Sequence, residues 1–208
     1  MLSSKVGHSL DPLILRVYQF FFRGRVVKPN LLTVVGLFFG FICLVLTISD
    51  RLLLAGLALF ISGFFDLLDG AVARQYGRVT AYGGFLDSVL DRYTDLSVAF
   101  GVFVYFLRQG EDLPYAILTF VAAIGIVIVS YIRARAEAAS LQCKSGLLER
   151  SERTIMLIIA LCFNDTFSGL IGVGLLKPVV ILMAVLTHLT AIQRILIVRK
   201  AARGGSSL

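Results

Sequence analysis

The sequence predicts an all-α integral membrane protein. Six transmembrane helices occupy residues 31–197, an amphipathic interfacial helix at 9–27 precedes them, and 1–208 forms a single domain. Three observations predict this. The chain is 58% hydrophobic with a mean hydropathy of +0.89, whereas roughly half the residues of a soluble domain are apolar. Only 16% of residues are charged, against about 25% in soluble proteins. Apolar stretches near 20 residues, the length that crosses a hydrocarbon core, recur six times.

The segment 9–27 mixes Leu, Val and Phe with Arg16, Arg23 and Arg25, the composition of a helix lying in the membrane interface. Pro29 and Asn30 break the chain before the first span. The spans are expected near 31–49, 52–73, 82–107, 114–136, 152–172 and 176–197. Asn164 and Asp165 mark either an outer helix end or a break, and the tail from Arg203 through Ser207 is expected to be disordered. The N-terminus, with Lys5, Pro12 and Arg16 before any apolar run, does not read as a signal peptide.

The basic residues test this topology. Lys5, Arg16, Arg23, Arg25 and Lys28 precede the first span, and Arg74 and Arg78 join spans two and three. Arg133, Arg135, Lys144, Arg150 and Arg153 join spans four and five, and Arg194, Arg199, Lys200 and Arg203 close the chain. With six spans all sixteen fall on one side; only Arg51, Arg108 and Lys177 fall on the other, and Arg92 lies within a span. That asymmetry places both termini in the cytoplasm, in a multi-pass inner-membrane arrangement.

Several functions are disfavoured by composition. The net charge of +7 suits loops beside anionic head groups. No basic run alternates with aromatics in a polar context, so nucleic acid is not an expected partner. Cys43, Cys143 and Cys162 fit neither a disulfide framework nor a metal motif. His8 and His188 are too isolated to form a histidine-based site.

The anomaly lies at 66–91, where Asp66, Asp69, Asp87 and Asp91 interrupt membrane-grade sequence. Unpaired, four such charges would cost roughly 10 kcal/mol to insert. Asp66 and Asp69 are spaced i, i+3 and Asp87 and Asp91 i, i+4, so each pair shares a helix face. The short connection at 74–82 makes the two helices antiparallel neighbours whose carboxylates converge near the cytoplasmic end. Clustered carboxylates repel unless cations bind, and oxygen-only ligands favour Mg²⁺, Mn²⁺ or Ca²⁺. Gly70, Ala73, Gly83 and Gly84 keep bulk away from the acids. Two other readings stand beside a metal site: acids paired with Arg74, Arg78 and Arg92, and a cation pathway through a transporter. The absence of an internal repeat speaks against the transporter.

This stretch resembles the signature of the CDP-alcohol phosphotransferase family: Asp, two residues, Asp-Gly, two residues, Ala-Arg, eight residues, Gly, three residues, Asp, three residues, Asp. Asp66, Asp69, Gly70, Ala73, Arg74, Gly83, Asp87 and Asp91 fill its eight specified positions. The resemblance implies six spans and two divalent cations, Mg²⁺ or Mn²⁺, on Asp66, Asp69, Asp87 and Asp91. It implies Asp91 as catalytic general base, and a CDP-lipid donor whose nucleotide meets Asp66, Asp69, Gly70, Ala73, Arg74 and Gly83, with Asn30 and Thr33 beside it. A homodimer is implied as well.

Residues 130–137, 146–153 and 193–194 resemble the family's phosphatidylinositol-phosphate synthase branch, in bacteria or its archaeal ether-lipid counterpart. That resemblance implies transfer from CDP-diacylglycerol or CDP-archaeol to inositol phosphate, releasing CMP, with Arg133, Arg153 and Arg194 on the acceptor's phosphate. The branch often carries Lys where this chain has Arg133, and Arg135 and Arg150 are alternatives for the role. Glycerol 3-phosphate and free inositol are the alternative acceptors. Ser88 after Asp87 argues against the former, whose enzymes usually carry Asp-Pro there.

Overall fold

The computed structural model describes residues 14–16, 18–19, 27–110, 112–141, 143 and 146–204. Six long helices follow one another: α1 (Pro29–Ile48), α2 (Leu52–Gln75), α3 (Ala81–Arg108), α4 (Leu113–Ala138), α5 (Arg150–Ile171) and α6 (Leu176–Gly204). No strand occurs among the described residues. Each helix falls within a few residues of an expected span except α6, which continues through Arg203 rather than fraying. Ala201 and Ala202 extend it because alanine loses little on entering a helix. Asn164 does not interrupt α5: it is buried, and its Oδ1 accepts the Leu176 N–H at 3.0 Å, tying α5 to the start of α6.

Local chemistry sets the helix ends. Pro29 opens α1 with its fixed φ, after Lys28 in the extended conformation a residue before proline prefers. Thr80 caps α3, its Oγ1 accepting the Gly83 N–H at 3.0 Å. At the head of α5, Glu152 Oε2 accepts the Glu149 N–H at 2.9 Å.

The helices close into a ring in the order α1, α2, α5, α6, α4, α3 and back to α1. Phe38, Phe60, Phe120 and Leu196 face outward, as lipid contact requires, while small and hydroxyl residues line the seams. Ser62 of α2 donates to the Gly36 carbonyl of α1 at 2.8 Å. A Cβ on Gly40 would sit 2.9 Å from Thr94 Cγ2 on α3, and one on Gly56 would collide with the Cys162 sulfur and lie 2.9 Å from its backbone nitrogen. These crossings exist because both positions lack a side chain.

Among the described residues five helices are long and apolar enough to cross a membrane: α1, α2, α4, α5 and α6. The sequence predicts six. At 28 residues α3 has the length, but Asp87, Asp91, Arg92 and Asp95 crowd it from its second turn to its middle. Of the expected interfacial helix, Ile14–Arg16, Tyr18 and Gln19 are helical and the rest of 9–27 lies outside the described residues, save Val27, which precedes α1. Ile14 and Tyr18 are buried against Leu32, Leu68, Ala71 and Val72, while Arg16 and Gln19 face outward. The Tyr18 hydroxyl accepts the Val27 N–H at 2.8 Å.

Gly56→Val should lower the melting temperature in detergent, because overpacking a tight crossing costs about 1–3 kcal/mol. Gly169→Ala, where an added Cβ meets nothing within 4 Å, should leave it unchanged. Equal behaviour of the two variants would contradict the α2–α5 contact described above.

Candidate active site

One end of the ring gathers the C-terminal turns of α2, α4 and α6 with the N-terminal turns of α1, α3 and α5. The turn at Tyr76–Thr80 is short, yet α2 and α3 are not the adjacent helices the sequence suggests: both pack on α1, which stands between them in the ring, and their acids meet across its interior. One carboxylate oxygen from each of Asp66, Asp87 and Asp91 lies within 4.8 Å of the others, and all three residues are half-buried. Three hard oxygen donors this close fit a divalent cation.

Asp69 stands apart from that trio. It is 6% exposed, and its Oδ2 has no hydrogen-bond partner among the described residues. A buried, unsatisfied carboxylate oxygen near the Asp66 and Asp87 carboxylates is itself a sign that an ion or ligand belongs there. The Thr33 side chain lies against it. Asn30 Oδ1 lies 3.3 Å from where a Gly83 Cβ would be, and Arg74 folds back over Gly70 with Nη1 3.1 Å from that glycine's notional Cβ. Half-buried Ala73 sits one residue before Arg74 on α2. Asn30 and Thr33 thus join the α2 and α3 signature residues on one flank of the acids.

The arginines lie on the other flank. A cavity of about 380 Å³ is lined by Asp87, Asp91, Arg133, Arg150, Arg153 and Arg194, among others. Arg153 is 4% exposed, and its Nη2 lies 3.6 Å from Asp95 Oδ2. Arg194 is 6% exposed, and its Nη1 donates to the Val129 carbonyl of α4 at 2.8 Å. Arg133 is more exposed and pairs with Glu137 at 2.8 Å. The structure therefore brings all three arginines expected for an acceptor phosphate onto one cavity. Arg135 is exposed and does not line it.

Asp95 gains a place the sequence left unassigned, and Arg150, an alternative there for the acceptor phosphate, gains a second place. Arg150 stands among the acids, with Nη1 2.9 Å from Asp66 Oδ2 and Nη2 2.8 Å from Asp91 Oδ1. Its Nε lies 3.5 Å from Asp95 Oδ1. Asp95 continues the i+4 series from Asp87 and Asp91 on the same face of α3, and its Oδ2 also lies 3.2 Å from Arg92 Nη2. The spacing could have revealed Asp95. Arg150 is 84 residues from Asp66, and no local pattern marks it out from its neighbours.

Residues 26–191 match the family model for CDP-alcohol phosphatidyltransferase. An archaetidylinositol phosphate synthase of Pyrococcus horikoshii is 37% identical over 180 residues, covering 86% of this chain and 87% of the relative. A phosphatidylinositol phosphate synthase of Corynebacterium glutamicum is 36% identical over 152 residues, covering 71% of this chain and 65% of that one. The crystal structure of Mycobacterium tuberculosis phosphatidylinositol phosphate synthase with CDP-DAG bound superposes with a TM-score of 0.74 at 29% identity, covering 93% of this chain and 94% of the other. The same enzyme in complex with manganese and citrate gives a TM-score of 0.73 at 30% identity, covering 93% and 87%.

Two arginines of this cavity carry charge differently, one in an exposed pair and one in a buried pair, which thermal unfolding in detergent should register. Arg153→Ala removes a buried partner of Asp95, a loss of about 3–5 kcal/mol for a buried pair, and should lower the melting temperature clearly. Arg133→Ala breaks an exposed pair worth about 0–1 kcal/mol and should barely move it. A larger drop for Arg133→Ala would contradict the placement.

Proposed function

Because the chain belongs to the CDP-alcohol phosphatidyltransferase family, we propose that it transfers the lipid phosphate group of a CDP-lipid to a hydroxyl of inositol phosphate and releases CMP. The observation that carries the acceptor assignment is the 380 Å³ cavity, with Arg133, Arg153 and Arg194 on its walls and Asp87 and Asp91 at its edge. A guanidinium fork pairs with a phosphate through two hydrogen bonds, and three of them around one cavity suit a phosphorylated polyol better than inositol or serine. The names of the relatives, archaetidylinositol phosphate synthase and phosphatidylinositol phosphate synthase, agree with that choice. The donor's tails are diacyl or ether-linked.

In this reading the acceptor phosphate docks on the arginines and its hydroxyl points toward Asp91. Asp91 takes the hydroxyl proton as that oxygen bonds to the lipid-bearing phosphorus. The bond from this phosphorus to the bridging oxygen breaks, and the electron pair leaves with CMP. Asn30, Thr33, Gly70, Ala73, Arg74 and Gly83 seat the nucleotide on the opposite flank. Asp66, Asp69, Asp87 and Asp91 would hold Mg²⁺ or Mn²⁺, whose charge, when bound, offsets that of the donor's pyrophosphate. The manganese-bound structure of the mycobacterial enzyme supports this choice.

The proposal extends to α3 as a sixth span, supported by its 28 residues and its seat in the ring between α1 and α4. It extends to a cytoplasmic site with both termini on that side, supported by the sixteen basic residues there, and to the homodimer expected from the family resemblance.

The test is CMP release by detergent-purified protein given CDP-diacylglycerol, Mn²⁺ and a panel of inositol phosphate, glycerol 3-phosphate, inositol and serine. Release is expected with inositol phosphate. Release with glycerol 3-phosphate instead would overturn the acceptor, and no release with any alcohol or with CDP-archaeol would overturn the reaction. Asp91→Asn should lower turnover by about 10²–10⁴, and Arg194→Ala should raise the KM for inositol phosphate while leaving that for the CDP-lipid unchanged.

A further inference from the structure

Arg150 occupies the place where a cation is needed. Its two terminal nitrogens reach Asp66 and Asp91, two of the three carboxylates that converge as a metal site. A guanidinium at 2.8–2.9 Å from these oxygens and a divalent cation bound to them are mutually exclusive, since like charges at contact repel strongly in a low-dielectric setting. Arg150 must therefore have somewhere to go when a metal binds. The structure shows where: its Nε is buried without a hydrogen-bond partner among the described residues and stops 3.5 Å from Asp95 Oδ1. Two complementary buried groups left short of each other describe a pair that is not yet closed. Asp95 meets Arg92 and Arg153 as well, at 3.2 and 3.6 Å through Oδ2, which leaves Oδ1 turned toward Arg150.

We propose that Asp95 is a positioning residue: it anchors Arg150, which neutralises Asp66 and Asp91 in the metal-free site and passes wholly to Asp95 when a divalent cation takes those carboxylates. The exchange leaves the guanidinium on the wall of the 380 Å³ cavity beside Arg153, so metal loading completes the anion-binding surface and the site assembles in order. The inference rests on the metal-dependent reading of Asp66, Asp87 and Asp91, and it adds Asp95 and Arg150 to the residues that serve the reaction.

The test is Mn²⁺ binding to the full-length protein in detergent, without donor or acceptor, followed by the electron paramagnetic resonance of free Mn²⁺. Arg150→Gln removes the competitor and should tighten binding by at least about fivefold, the lower end of typical coupling between sites. Asp95→Asn removes the anchor and should weaken binding, and Asp95→Glu should restore it. General damage to the fold would weaken binding in every variant, so the opposite signs distinguish positioning from structural support. Should Arg150→Gln fail to fold, the wild type supplies a second reading. On adding Mg²⁺, the Arg150 Nε–H resonance in ¹⁵N-arginine-labelled protein, assigned by its loss in Arg150→Lys, should shift to a hydrogen-bonded position, and it should not do so in Asp95→Asn. An unmoved resonance, or equal Mn²⁺ affinity in wild type and Arg150→Gln, overturns the proposal and leaves the metal site standing. No Mn²⁺ binding by the wild type overturns both.

Discussion

Carboxylates that face one another within a membrane protein repel, and little water is present to screen them. Asp66, Asp87 and Asp91 are held within 4.8 Å of one another, and much of the bundle's end is arranged around that fact. The short turn between α2 and α3 brings the pairs together, Gly40 lets α1 close against α3 at Thr94, and Arg150 from α5 supplies the counter-charge. A closed ring of six helices makes this possible because α2, α3 and α5, though far apart in sequence, share one interior. A buried cluster of this kind contributes little to stability by itself, since desolvation offsets most of the attraction. Its presence points to chemistry.

The acids divide the site into two halves. On one side Thr33 and Gly70 lie against the buried Asp69, with Asn30 beside Gly83 and Arg74 folded over Gly70, which suits a bulky nucleotide whose charge sits on its phosphates. On the other, five arginines line a cavity, which suits a small, strongly anionic partner. Donor and acceptor can thus approach the same carboxylates from opposite flanks without competing for the same residues, the condition for direct transfer between them.

Much of the fold was legible in the sequence because bilayer thickness and helical rise leave few choices: the span expected at 31–49 is Pro29–Ile48, and that at 52–73 is Leu52–Gln75. The pairing of Asp66 with Asp87 and Asp91 was legible for the same reason, since helical periodicity and a short connection suffice. Features that depend on distant contacts were not. Arg150 reaches Asp66 across 84 residues, and in sequence it is one basic residue among five in its connection. Asn164 reads as a helix breaker, yet it serves a backbone N–H on the next helix. Tyr18 reads as part of an interfacial stripe, yet it is buried against α2. The span expected at 82–107 is the helix Ala81–Arg108, yet its charges leave it outside the five helices apolar enough to cross a membrane, because the residues that build the site are those that spoil the hydropathy.

The central claim is that Asp66, Asp87 and Asp91 converge in order to hold a divalent cation beside a CDP-lipid. The most direct measurement is anomalous diffraction from crystals grown with Mn²⁺ and CDP-diacylglycerol. Anomalous density among these three carboxylates, touching the donor's pyrophosphate, is the expected result. Density elsewhere, or a bound donor with Asp66, Asp87 and Asp91 carrying no metal, would contradict it.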